Sequence, residues 1–192
     1  MGRRASGTVR TVINEEERPI IPLLILGLLK DRGQASAYEL LGLIDERDYR
    51  YLIHVTKGSF YYNLQKLAEK ELVRLVKTVS VNGYPEQHIY EITDAGSEHF
   101  EQLMGKYASQ TDDITLAFYM TTLFAHEYDP ARYRKALEDQ IRQTRQKIEE
   151  IDRALREKQD VIYTTAKSMM ENVKAHHELN LKWFEDLHRQ TK

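Results

Sequence analysis

The chain has 192 residues, enough for one or two domains with their own apolar cores. It contains no cysteine, which excludes a disulfide framework and a thiolate metal site and fits a reducing, cytoplasmic setting. A formal net charge of −2 excludes a uniformly basic nucleic-acid coat, and the longest apolar run, Ile20 to Leu29, is broken by Pro22 and falls short of the roughly 20 residues that span a bilayer.

Residues 1–18 are polar, carry Arg3, Arg4 and Arg10, and show no apolar period, which predicts a mobile basic arm. A first helix is predicted from about Ile20 to Lys30, with Gly33 as its stop. Ser36 and Glu39 have the spacing of a capping box, and Leu40, Leu43 and Ile44 give the helix after it an apolar face.

Thr56 is placed to cap a third helix in which Phe60, Leu64 and Leu67 recur at four and three residues and turn inward. The other face then carries Lys57, Ser59, Tyr62, Asn63 and Lys66, with Tyr61 beside it. Val73, Leu75, Val79 and Val81 alternate as a strand, Asn82-Gly83 signals a tight turn, and His88, Tyr90 and Ile92 alternate on the way back. Three helices followed by a hairpin predict a winged helix-turn-helix domain over residues 19–108, its last helix starting after Thr93.

A helix that enters the major groove must anchor itself by apolar residues and present short polar or basic ones. The stretch from Thr56 to Leu67 has that form. Lys57 and Lys66 suit phosphates, Ser59 and Asn63 suit base edges, and the hydroxyl of Tyr61 or Tyr62 suits a phosphate oxygen. Between Arg50 and Thr78 the basic residues Arg50, Lys57, Lys66, Lys70, Arg74 and Lys77 face only Glu69 and Glu71, a local positive excess around this helix.

These motifs resemble the PadR transcriptional regulators, whose reading helix carries a Gly-Thr-Leu-Tyr-Pro pattern. Here it appears as Gly58 to Tyr62, then Leu64, Leu67 and the strand from Leu72; the family's Tyr-x-Leu-Thr-x-x-Gly after the wing appears as Tyr90 to Gly96. The resemblance covers about Ile20 to Met104. Tyr62 stands where the family has proline, Glu71 where it has glycine, and the wing has Glu86 and no fixed positive charge where relatives carry Arg or Lys. A non-glycine residue in left-handed backbone at Glu71 would cost about 1–2 kcal/mol.

Beyond Gly105 there is no glycine and beyond Pro130 no proline, so residues 109–192 are predicted to be helical. Asp112 and Asp113 suit a helix start, and Asp129-Pro130 a sharper one. From there Tyr133, Leu137, Ile141, Ile148, Ile151 and Leu155 form a coiled-coil seam, which one helix cannot bury alone. The seam can pair within the chain or with a second chain; the resemblance implies the second, a homodimer on a palindromic operator. Phe118, Tyr119, Tyr163, Met169, Met170, Trp183 and Phe184 are the candidate pocket for a small aromatic effector, since thioethers and aromatic faces make adaptable walls for flat ligands.

Nothing in the sequence suggests an enzyme, a cofactor or a metal: there is no nucleophile–base set and no phosphate loop, and His176 and His177 are adjacent, hence about 100° apart on a helix. The expected fold is mainly α with a small β-hairpin wing, a winged domain followed by an antiparallel helical, coiled-coil dimerisation domain. The expected function is sequence-specific DNA binding by a repressor of the PadR type. The alternative is a coiled-coil interaction module whose winged domain makes protein contacts.

Overall fold

The computed structural model describes residues 20–80, 86–157 and 164–191. The basic arm, the tip of the wing at Asn82-Gly83, and Tyr163 lie outside them. The order is α1 (Ile20–Arg32), β1 (Gln34–Ser36), α2 (Ala37–Glu46), a single turn at Tyr49–Tyr51, α3 (Lys57–Glu69), β2 (Val73–Val79), β3 (Gln87–Ile92), α4 (Asp94–Ala108), α5 (Ala117–Leu123), α6 (Pro130–Glu157) and α7 (Thr164–Gln190). The fold is mostly helical with one small antiparallel sheet, as expected. Two compact units emerge, one of the chain up to Leu43 with Val55–Gln110, the other of Ile44–His54 with Thr111–Lys192.

In the first unit α1 is the central element. Ile21, Ile25, Leu26, Leu28 and Leu29 are all buried, because α3, α4 and β3 pack around it. The helix ends where Gly33 takes φ 84°, a left-handed turn that glycine enters without strain. The sheet has the order β1-β3-β2, so the hairpin read from the sequence gains a third strand in which Gln34 pairs with Glu91 and Ser36 with Ile89. Three residues are too few to show alternation, which is why β1 was not anticipated.

The join between α3 and the wing explains the Tyr90 to Gly96 motif. Glu71 does adopt left-handed backbone, φ 57°, so the cost expected of a non-glycine residue there applies. Thr93 then clamps the turn: its hydroxyl contacts the carbonyls of Glu71 at 2.8 Å and Leu72 at 3.1 Å, and the same oxygen accepts the Gly96 N–H as the cap of α4. Gly96 is required because a Cβ there would lie 2.0 Å from the Leu72 carbonyl oxygen.

In the second unit α6 and α7 run antiparallel, as cross-pairs Arg145–Glu185, His188–Glu138 and Lys174–Asp152 show. Asp129 caps α6, its Oδ1 accepting the Arg132 N–H at 2.8 Å, as its place before Pro130 predicted. Asp112 and Asp113 do not start a helix; α5 begins at Ala117, capped by no side chain.

Candidate nucleic-acid interface

The start of α3 is fixed by a reciprocal box. Thr56 Oγ1 accepts the Ser59 N–H at 3.1 Å, and Ser59 Oγ accepts the Thr56 N–H at 3.1 Å. Phe60, Leu64 and Leu67 are buried beneath, as their spacing required. Rigid entry and a buried stripe leave the helix a single outward face, which carries Lys57, Tyr61 and Gln65.

Lys57 is exposed in the first turn and has no ion-pair partner among the described residues. Tyr61 is 49% exposed and meets the edge of Phe60, while Tyr62 is half-buried. Thr56 and Ser59 spend their hydroxyls on the cap. Asn63 corrects the sequence expectation: it is only 4% exposed, and its Nδ2 donates to the Ser59 carbonyl at 2.8 Å. It braces the helix from inside and does not face outward.

Lys66 is exposed but engaged. Its ammonium lies 2.8 Å from Glu69 and 5.8 Å from the centre of the Tyr62 ring, and the hydrogen bonds from Lys66 and then Gln65 hold the Glu69 carboxyl below its ordinary range. Arg74 is paired with Glu91 and Arg50 with Asp48. Much of the local positive excess is therefore answered by carboxylates, some of them distant in sequence.

Beside α3 runs a groove of about 1050 Å³. Its walls are Tyr61, Tyr62 and Gln65 of α3, Ser36 to Tyr38 at the start of α2, and Glu86 to His88 with Tyr90 of the wing. Tyr38 is 73% exposed there. It is the residue that sequence reasoning missed, although an aromatic side chain in the first turn of a capped helix, off the Leu40–Ile44 face, was a usable signal. The Ser36–Glu39 box holds that turn: the Glu39 carboxylate accepts from Ser36 N at 2.7 Å and Ser36 Oγ at 2.9 Å, and these bonds lower its pKa.

The helical unit rearranges two expectations. Tyr133 and Leu137 are buried with Phe184, and Ile141 packs on that cluster; Ile151 is buried with Met170, and Leu155 packs on that one. Of the seam residues only Ile148 is outside both clusters, so within one chain α7 covers most of the seam. Exposed apolar side chains of this unit include Ile114, Met120, Leu123 and Phe124 around α5 and Leu179 on α7.

The proposed effector residues also separate. Phe118 stacks on Tyr133 at 6.1 Å and meets Trp183 and Phe184 edge-on at 6.1 and 5.1 Å, and Tyr119 meets Trp183 at 5.3 Å. These rings fill one another's space. Met170 lies about 21 Å along α7 from Phe184 at 1.5 Å per residue, and Met169 is exposed beside it, so the set does not form one pocket. Among the described residues no group of three or more His, Asp or Glu side chains is arranged to hold a metal, and no helix is long and apolar enough to cross a membrane.

A three-helix core, a capped outward-facing α3 and a β2–β3 wing define a winged-helix protein of the DNA-binding class. Residues 25–102 match the model of the transcriptional regulator PadR-like family. That match lies within the winged domain. Solved structures agree in fold: operator-bound Bacillus subtilis PadR superposes with a TM-score of 0.72 at 15% identity, covering 90% of this chain and 99% of that one. The PadR-like regulator BC1756 of Bacillus cereus gives 0.69 at 19%, covering 89% and 97%, and the Vibrio cholerae virulence activator AphA 0.67 at 16%, covering 88% and 96%. No curated protein matches the chain.

Proposed function

We propose that the chain is a cytoplasmic, sequence-specific repressor that binds a palindromic operator as a homodimer and is released by a small aromatic effector. The observation that carries this reading is α3, locked at its start by Thr56 and Ser59 and presenting Lys57 and Tyr61 outward. Tyr38 and Tyr62 flank that face and offer hydroxyl donors to phosphate oxygens. Residues 19–108 supply DNA contact and residues 109–192 dimerisation, while Arg3, Arg4 and Arg10 supply further phosphate contacts from the arm.

One winged domain spans few base pairs, and two reading helices about 34 Å apart would match successive turns of a palindrome. The exposed apolar side chains around α5 support a subunit contact, since such patches are costly to leave in water. A structure of B. subtilis PadR with p-coumaric acid, 13% identical to this chain and superposing at a TM-score of 0.67, supports an aromatic effector. Such a ligand would act by favouring a dimer whose helices no longer fit the grooves.

Gel-shift titration with DNA from upstream of the chain's own gene tests the proposal. Retardation at protomer concentrations that also yield dimer is the expected result; no shift, or a shift equal for any duplex, contradicts it. Phe124→Asp should convert dimer to monomer and abolish retardation while the winged unit stays folded.

A further inference from the structure

The helical unit contains a cavity that DNA reading leaves unused. The segment from Arg50 to His54 lines, together with α6 and α7, a partly open cavity of about 660 Å³. Three fixed cations and two imidazoles line it from all three sides: Arg50 and His54 from the segment, Lys147 and Arg153 from α6, His177 from α7. Ile151 and Tyr51 give it an apolar wall, and the only carboxylate in the lining, Glu150, accepts a hydrogen bond from Gln146 of its own helix at 2.9 Å.

Arg50 is positioned, not swinging. Asp48, whose side chain is 4% exposed, holds it at 3.3 Å, and the guanidinium lies 5.2 Å from the centre of the Tyr51 ring. Among the neighbouring groups, Lys174 is compensated at 2.7 Å by Asp152 and at 3.6 Å by Glu178. Lys147 and Arg153 have no ion-pair partner among the described residues. Like charges gathered around a partly enclosed space repel, and a ligand of opposite sign relieves them.

We propose that this cavity binds a small dianion of the sulfate or phosphate-ester class, held by Lys147, Arg153 and Arg50. Bidentate guanidinium and point-charge ammonium donors suit tetrahedral oxyanions. His177 reports the same field: burial first, then Lys147 and His176, push its pKa below the ordinary imidazole value. A dianion beside Lys147 reverses the sign of that field, so binding draws a proton onto His177 and tightens as pH falls toward the imidazole range. Because the segment runs from His54 directly into Thr56, the cap of α3, occupancy also has a covalent route to the reading helix.

The test is calorimetric titration of the full chain with sodium sulfate, which does not itself titrate, at constant ionic strength, at pH 7 and pH 6 and in buffers of different ionisation enthalpy. The expected result is saturable binding with proton uptake, at least about threefold tighter at pH 6. Lys147→Ala and Arg153→Ala, both at exposed positions, should each weaken it about tenfold with helix content unchanged. His177→Gln should reduce the pH dependence and keep the binding. Competition by glycerol 3-phosphate assigns the site to phosphate esters, and its failure to compete assigns it to inorganic oxyanions; either supports a dianion site. Absence of saturable binding by both anions, indifference to Lys147→Ala, or equal binding of the monoanion benzoate overturns the proposal.

Discussion

The winged unit and the helical unit use the same apolar periodicity to opposite effect. In the winged unit Phe60, Leu64 and Leu67 can be buried only by the surrounding α1 core, so the opposite face of α3 is free for a ligand. In the helical unit the seam from Tyr133 to Leu155 has two available partners, α7 of the same chain or a helix of another, and periodicity does not choose between them. An apolar stripe thus identifies what turns inward but not whose interior it enters. Where the loops are short and the helix lies between other core elements the answer is forced; where two helices each exceed 25 residues it is not.

The largest expected effect sharpens that contrast. Leu137→Ala removes a fully buried side chain from the α6–α7 interior and should cost about 2–5 kcal/mol, read by thermal unfolding. Were the residue a subunit contact instead, its loss would appear as dissociation on dilution with little change in monomer stability. Next comes Gly96→Ala, where the new Cβ meets a backbone oxygen that has no rotamer to move to. It should cost up to about 3 kcal/mol, the upper end of overpacking, and loosen the α3–wing join.

Smaller effects separate reading from bracing within α3. Lys57→Ala should reduce the salt slope of DNA binding by about one phosphate contact across all sequences. Lys66→Ala should do less, because its charge is already shared with Glu69. Asn63→Ala should lower stability by about 1 kcal/mol, the worth of a buried hydrogen bond, with base preference unchanged. An altered base preference in that variant would put Asn63 back on the groove-facing side.

The smallest effects lie at the element boundaries. Glu71→Gly relieves left-handed strain but adds chain entropy on unfolding, leaving a net gain of at most about 1 kcal/mol. Glu39 has a depressed folded pKa, so its capping contribution is complete above the unfolded value of about 4.5 and is lost as pH falls through the lower folded value. Acid titration of the winged unit followed by circular dichroism should show that loss, and Glu39→Gln should flatten it.

Much of the winged unit was legible because its signals are local. Caps at Ser36, Thr56 and Thr93 lie within three residues of their partners, and the Glu71 left-handed turn follows from a residue standing where the family has glycine. What escaped was non-local or silent in periodicity. Asn63 is polar, so a hydrophobic pattern assigns it outward, yet it sits at the i+3 position from Phe60 and goes in with it. Arg74 looked free until the sheet brought Glu91 beside it, and Tyr38 gained meaning only when the fold set it across a groove from Tyr61. The aromatic residues of the second half failed as a pocket for a simpler reason: similar chemistry spread along a 27-residue helix does not share one place.

The claim on which the rest depends is that a dimer presents two copies of α3 to one face of duplex DNA. Hydroxyl-radical footprinting of the upstream DNA tests it directly. The account predicts two protected segments on each strand, centred about 10 base pairs apart, which vanish together in Phe124→Asp and weaken together in Lys57→Ala. A single protected segment that survives Phe124→Asp would contradict it.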